Sequence, residues 1–137
     1  MKLNVILSVL SVFVLLTLSA CSQKEYNFYG SSDNWIVTYD SKISEERTLD
    51  DFSFEYIGEE PAPEIFDYNL KSGWLDLKSK EERFNHQDKN ILSGGTECTG
   101  PPINADIMCE KFTEDEQTIE AKIEWNGNSE VVVLNKK

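Results

Sequence analysis

Histidine is almost missing from this chain, with His86 the only one among 137 residues. Catalytic triads and zinc centres lean on histidine as base or ligand, so triad hydrolases and zinc enzymes are disfavoured from the outset. His86 itself stands in Phe84-Asn85-His86-Gln87-Asp88, a polar stretch without a nucleophile motif, which fits a solvated loop. Positive charge is scarce too: 13 Lys and Arg face 25 Asp and Glu, a formal net charge of −12. Such a chain repels nucleic acid and anionic lipid headgroups, which argues against a basic groove or a polybasic membrane contact. Its acidity serves solubility first, and basic partners or divalent cations second. No apolar run reaches the roughly 20 residues that a bilayer-spanning helix takes.

What the chain does have begins at its start. Lys2 is followed by an apolar run from Val5 to Leu18, interrupted by Ser8, Ser11 and Thr17, and then by Leu18-Ser19-Ala20-Cys21. A charged start, an apolar middle and small residues before a cut site are the anatomy of a signal peptide. The ending resembles the lipobox of bacterial lipoproteins, in which a peptidase cuts just before a cysteine carrying diacylglycerol. That resemblance implies lipid attachment at Cys21, with acyl chains such as palmitate, and a position on the extracytoplasmic face of the cell membrane. Two or more acyl chains are needed for stable anchoring. The alternative is an ordinary signal peptide with an incidental cysteine.

The expected organisation is a signal peptide over 1–20, a lipidated cysteine and tether over 21–30, and one domain over 31–137. Cutting before Cys21 removes Lys2 and no acid, so 12 Lys and Arg remain against 25 Asp and Glu, a net charge of about −13. Two cysteines follow Cys21, and outside the reducing cytosol the simplest pairing is a Cys98–Cys109 disulfide. A loop of about 12 residues closed in this way is worth roughly 3 kcal/mol on the chain-entropy estimate. The spacing is not C-x-x-C and no His pair stands nearby, which disfavours a redox or metal site.

Period-two alternation dominates the domain. Trp35, Val37 and Tyr39 alternate with Ile36 and Thr38, and Phe52, Phe54 and Tyr56 with Ser53 and Glu55. Ile65 to Leu70 and Trp74 to Leu77 suggest two short strands around Lys71-Ser72-Gly73, with the charged stretch Lys78 to Arg83 as a loop or helical turn. Ile119, Ala121, Ile123 and Trp125 alternate with charged residues and run into Asn126-Gly127, the residue pair a tight β-hairpin favours. The return strand, Val131 to Leu134, is apolar on both faces, which predicts a covered strand and not one at an open edge. Tyr26, Phe28 and Tyr29 suggest a first strand or its cover. Short strands with turns between them and few helical patterns predict an all-β antiparallel β-sandwich of immunoglobulin-like type, with a small β-barrel as the alternative.

Together, the lipobox, the Asn34-Trp35-Ile36-Val37-Thr38-Tyr39 strand and the Ile123-Glu124-Trp125-Asn126-Gly127 hairpin resemble small lipoproteins of Bacillus and related Gram-positive bacteria, whose role is largely unassigned. The resemblance carries over no functional residue except Cys21.

Candidates for chemistry are few. Asp50-Asp51, Glu59-Glu60 and Glu114-Asp115-Glu116 are carboxylate pairs or runs without EF-hand spacing, which fit wet loops better than a glycosidase or calcium site. Ser93-Gly94-Gly95-Thr96 lacks the Gly-Lys-Ser/Thr ending of a phosphate loop and suggests a flexible turn. Trp35, Trp125, Phe52 and Phe54 fall on the alternating faces and are expected in the core. No catalytic set, metal set or cofactor motif emerges. The expected function is a non-catalytic binding or interaction module, held to the membrane by its lipid and facing an envelope protein or cell-wall partner. The alternative is an enzyme or calcium-dependent envelope protein built on acidic residues, for which three or more carboxylates would have to converge on one pocket.

Overall fold

The computed structural model describes residues 23–44, 47–84, 90–99 and 115–137. Every regular element among them is a strand: β1 (Lys24–Ser31), β2 (Trp35–Ile43), β3 (Arg47–Tyr56), β4 (Phe66–Lys71), β5 (Asp76–Glu82), β6 (Ile91–Thr99), β7 (Thr118–Trp125) and β8 (Asn128–Lys136). They form one antiparallel sheet in the order β5-β4-β7-β8-β1-β2-β3-β6. The chain is therefore all-β, as its alternation predicts.

The sheet curls on itself. β3 and β4 stand near opposite ends of the strand order, yet the rings of Phe54 and Tyr68 lie 4.5 Å apart and those of Phe54 and Phe66 5.8 Å apart. Right-handed twist accumulated over eight strands brings the two halves face to face. The result is a half-barrel whose two layers are joined through β8 and β1, an arrangement between a sandwich and a small barrel.

Alternation decides what lies inside. Trp35, Val37 and Tyr39 point inward from β2, Phe52, Phe54 and Tyr56 from β3, and Ile119, Ala121, Ile123 and Trp125 from β7. Trp35 sits at the hub: its ring is 4.9 Å from Phe66, 5.2 Å from Tyr56 and 5.4 Å from Trp125. Offset and edge-on pairs of this kind add about 0.5–1.5 kcal/mol each beyond the area they bury. The four aromatics expected in the core are all there.

Several local expectations need correcting. Lys24–Gly30, assigned to the tether, belongs to β1, with Tyr26 and Phe28 buried and Tyr29 partly exposed. The strand expected at Trp74 starts only at Asp76, and Lys78 to Glu82 continues it instead of forming a loop or helical turn. A β-bulge hides that strand in the sequence: the register slips between Phe66 and Tyr68, Glu81 takes φ 55°, and its N–H donates to Asp67 Oδ1 at 2.8 Å. Ser93 to Thr96 is no turn but the middle of β6, paired with Asp50 to Ser53. A Cβ at Gly94 would run into the Phe52 ring, so a bare backbone is needed beneath it. The expectation for β8 holds: β7 and β1 pair with both its edges, so it is no open edge, while the outward side chains of Val131 and Val133 stay 55% and 46% exposed.

Candidate functional site

Three turns meet at one end of the half-barrel. The β1–β2 turn brings Ser32, Asp33 and Asn34; the segment after β3 brings Gly58, Glu59 and Glu60; and the β7–β8 turn brings Asn126 to Ser129, followed by Glu130. The last turn closes over two residues, with Trp125 opposite Asn128. Asn126 and Gly127 take φ 46° and 80°, the left-handed region that such a hairpin requires.

One carboxylate fastens these pieces together. Ser32 Oγ donates to Glu130 Oε2 at 2.5 Å, and Asn34 Nδ2 donates to Glu130 Oε1 at 2.5 Å. Ser32 N–H also donates to the Trp35 carbonyl at 2.8 Å, which closes the turn on itself. Across it, Ile57 N–H donates to the Asn34 carbonyl at 2.8 Å and ties in the segment after β3. Both Glu130 oxygens are thus held by neutral donors, and no Lys or Arg pairs with Glu130 among the described residues.

Around this fastening lies an open cleft of about 670 Å³. Tyr56 and Trp125 line it, their rings 6.4 Å apart, and so do the carboxylates of Asp33, Glu59, Glu60 and Glu130. Tyr56 is only 5% exposed, its ring packed edge-on against Trp35. Burial raises the pKa of its hydroxyl above the ordinary tyrosine range, and the negative charges of Glu60 and Glu130 raise it further. The phenol therefore stays protonated at neutral pH. It makes no hydrogen bond with a described residue.

Cys21, His86, Cys109 and Glu114 lie outside the described residues. Cys98 lies on β6 opposite Thr48, so the proposed Cys98–Cys109 bridge has one end in the sheet and the other outside the described region. Asp50-Asp51 is not a loop: the pair lies within β3, Asp51 outward and Asp50 half-buried. Burial chiefly raises the Asp50 pKa, the nearby charge of Asp51 adds to this, and the hydroxyls of Ser41 and Tyr39 offset part of it. Glu116 faces Gly73 in the turn between β4 and β5. Glu59-Glu60 lies in a loop as expected, but it converges with Asp33 and Glu130. Sequence reasoning missed that convergence, because the contributing segments are up to about 97 positions apart.

Among the described residues no three His, Cys, Asp or Glu side chains are placed to share a metal ion. The cleft offers a negative field, a phenol and an indole wall. No family model matches this chain, and neither the curated proteins nor the solved structures hold a significant match to it.

Proposed function

We propose that this protein is a membrane-anchored extracytoplasmic lipoprotein that acts as a non-catalytic binding module of the cell envelope, with the cleft at the β1–β2, β3–β4 and β7–β8 end as its binding face. The observation that carries the proposal is the fastening of separate turns by Glu130. Loops held on a rigid scaffold are where binding surfaces concentrate, and a preformed cleft of several hundred Å³ is the size of a small-ligand or side-chain pocket.

Anchoring at Cys21 would suit this geometry. β1 starts three residues after Cys21, at the end where Lys24 pairs with Ile43. The cleft lies at the other end of the same strand, and eight residues at about 3.3 Å each put roughly 25 Å between them. A short tether would then turn the cleft away from the membrane. The net negative charge would keep the domain off anionic headgroups, leaving the acyl chains to do the holding.

Two measurements test the two halves of this reading. Labelling cells with an alkyne fatty acid should mark the wild-type protein and not Cys21→Ala; equal labelling of both would refute lipidation at this residue. A photo-crosslinking amino acid at Glu59, on the cleft rim, should capture envelope neighbours that the same group at Arg47, at the opposite end, does not. Identical adducts from both positions would rule out the cleft as the binding face.

A second reading, an acid-based enzyme or a calcium-dependent protein, draws on Asp33, Glu59, Glu60 and Glu130 lining one cleft, although among the described residues no three of them are placed to share one ion. A rise in melting temperature at millimolar calcium would support its ion-binding form, since a ligand of the folded state stabilises it by mass action; no rise would remove that form.

A further inference from the structure

Resting on the reading of the cleft as a binding face, we infer that its ligand is an organic cation, an alkylammonium or guanidinium group whose N–H bonds are received by the Tyr56 hydroxyl and by the carboxylates of Glu60 and Glu59.

Two independent features point the same way. The first is the unused phenol. Tyr56 is 95% buried by residue surface, yet its hydroxyl has no hydrogen-bond partner among the described residues and faces Glu60 and Glu130 in the cleft. Packing alone would be served as well by phenylalanine, because the ring already meets Trp35 at 5.2 Å and Trp125 at 6.4 Å. A phenol whose ring is packed and whose hydroxyl ends in a cleft offers both an acceptor and a donor to what enters it. The second is uncompensated charge: among the described residues four carboxylates line the cleft and no Lys or Arg does.

The form of the cation follows from what the carboxylates can do. A bare divalent ion needs several oxygens converging on one point. Here Glu130 already has an oxygen committed to Ser32 and the other to Asn34, and among the described residues no three carboxylates are placed to share an ion. The cleft volume of about 670 Å³ is far larger than an ion requires and fits a group with an alkyl arm, whose methylenes can lie against Trp125. An ammonium or guanidinium spreads three to five N–H donors over separated acceptors, which matches a phenol and carboxylates that line one cleft without converging on a point. Two sources offer this chemistry: a Lys or Arg side chain of a basic protein segment, and a free polyamine.

The test is isothermal titration of the full chain in detergent, at about 0.15 M salt, with tetralysine and with spermidine as separate probes. Saturable one-to-one binding of either probe is expected. Glu59→Gln with Glu60→Gln, both exposed loop positions, should weaken it by about tenfold or more, since a charge-assisted hydrogen bond is worth that much. Tyr56→Phe keeps the ring packing and should weaken it about three- to tenfold if the hydroxyl receives the cation. Glu25→Gln with Glu120→Gln removes the same charge from strands outside the cleft and should change affinity less than twofold. Tighter binding of tetralysine assigns the ligand to a protein segment, and tighter binding of spermidine to a free polyamine. Equal losses from the two double variants would mean diffuse attraction to an acidic protein and would overturn the inference, as would the absence of saturable binding. If Glu59 crosslinks an envelope neighbour while neither probe binds, the cation assignment fails and the binding face stands.

Discussion

Asn34 Nδ2 donates to Glu130 Oε1 at 2.5 Å, so residues 96 positions apart hold the β1–β2 turn against the start of β8. Glu130 is half-buried, and its second oxygen accepts from Ser32. Removing the carboxylate takes the acceptor away from both donors. Hydrogen bonds to a charged group contribute about 1.5–3 kcal/mol each in favourable cases. Glu130→Ala is expected to lower stability by about 2 kcal/mol in denaturant titrations. Glu130→Gln, which keeps one acceptor oxygen, should lose less. Amide exchange of Trp35 should quicken in the alanine variant before that of Val37, since the turn loosens from its tip. Equal protection in both proteins would show that Glu130 does not hold the turn.

Gly58 sits where a side chain has no room. A Cβ there would overlap Asn34 Oδ1 and the Tyr56 hydroxyl. Gly58→Ala should therefore move the Tyr56 ring or the Asn34 side chain and cost about 1–3 kcal/mol by overpacking. Gly127 is the contrasting case: nothing lies within 4 Å of an added Cβ, but φ is +80°. Gly127→Ala should cost about 1 kcal/mol through backbone strain alone. The two variants separate on pairing with Tyr56→Phe, which removes the overlapping oxygen. Stability should recover in part for Gly58→Ala and not at all for Gly127→Ala.

How far the sequence discloses this fold follows from which forces leave a local trace. Trp35 to Tyr39 and Ile119 to Trp125 alternate because one sheet face is buried and the other wet, and Asn126-Gly127 declares its turn through φ. β5 carries no such trace, since it is a charged edge strand with a bulge at Glu81 that breaks the alternation. β6 is obscured for a different reason: Gly94 gives up its side chain to make room for Phe52. Val131 and Val133 do mark a strand paired at both edges, and their exposure shows that β-branched residues suit such a strand even where its outer face is wet. The cleft is the least legible part of the molecule. Its acids come from two loops and the start of β8, and only the pairing of β8 with β1 and of β2 with β3 brings Asp33, Glu60 and Glu130 together.

Asp40 and Asp51 face each other directly across β2 and β3. Burial raises the pKa of Asp40, and the charge of Asp51 raises it further, against partial relief from Lys42 and Lys137. Like charges directly opposite on a sheet destabilise it. Asp51→Asn should therefore stabilise the protein at neutral pH by about 0.2–1 kcal/mol. High salt screens exposed charges, so the gain should shrink at 1 M salt. A gain that is constant with salt would mean that the two carboxylates do not repel.

Asp50 poses the sharper electrostatic problem, because its carboxyl points into the interior between Ser41 and Tyr39. Burial is the largest influence and raises its pKa; the two hydroxyls lower it, and Asp51 raises it again. An acid whose pKa is higher folded than unfolded binds more protons in the folded state, so between the two values stability falls as pH rises. Above the raised value the full cost is present, and below the ordinary carboxylate value of 3.8 it is gone. Asp50→Asn keeps a polar group for Ser41 and Tyr39 without the charge. It should be more stable than wild type at pH 7, with the advantage fading as pH falls toward 4. Thermal melts of both proteins across pH 4 to 8 check this, with the outward-facing Asp51→Asn variant as reference. An advantage that grows as pH falls would reverse the sign and show that Asp50 is stabilised as the ion.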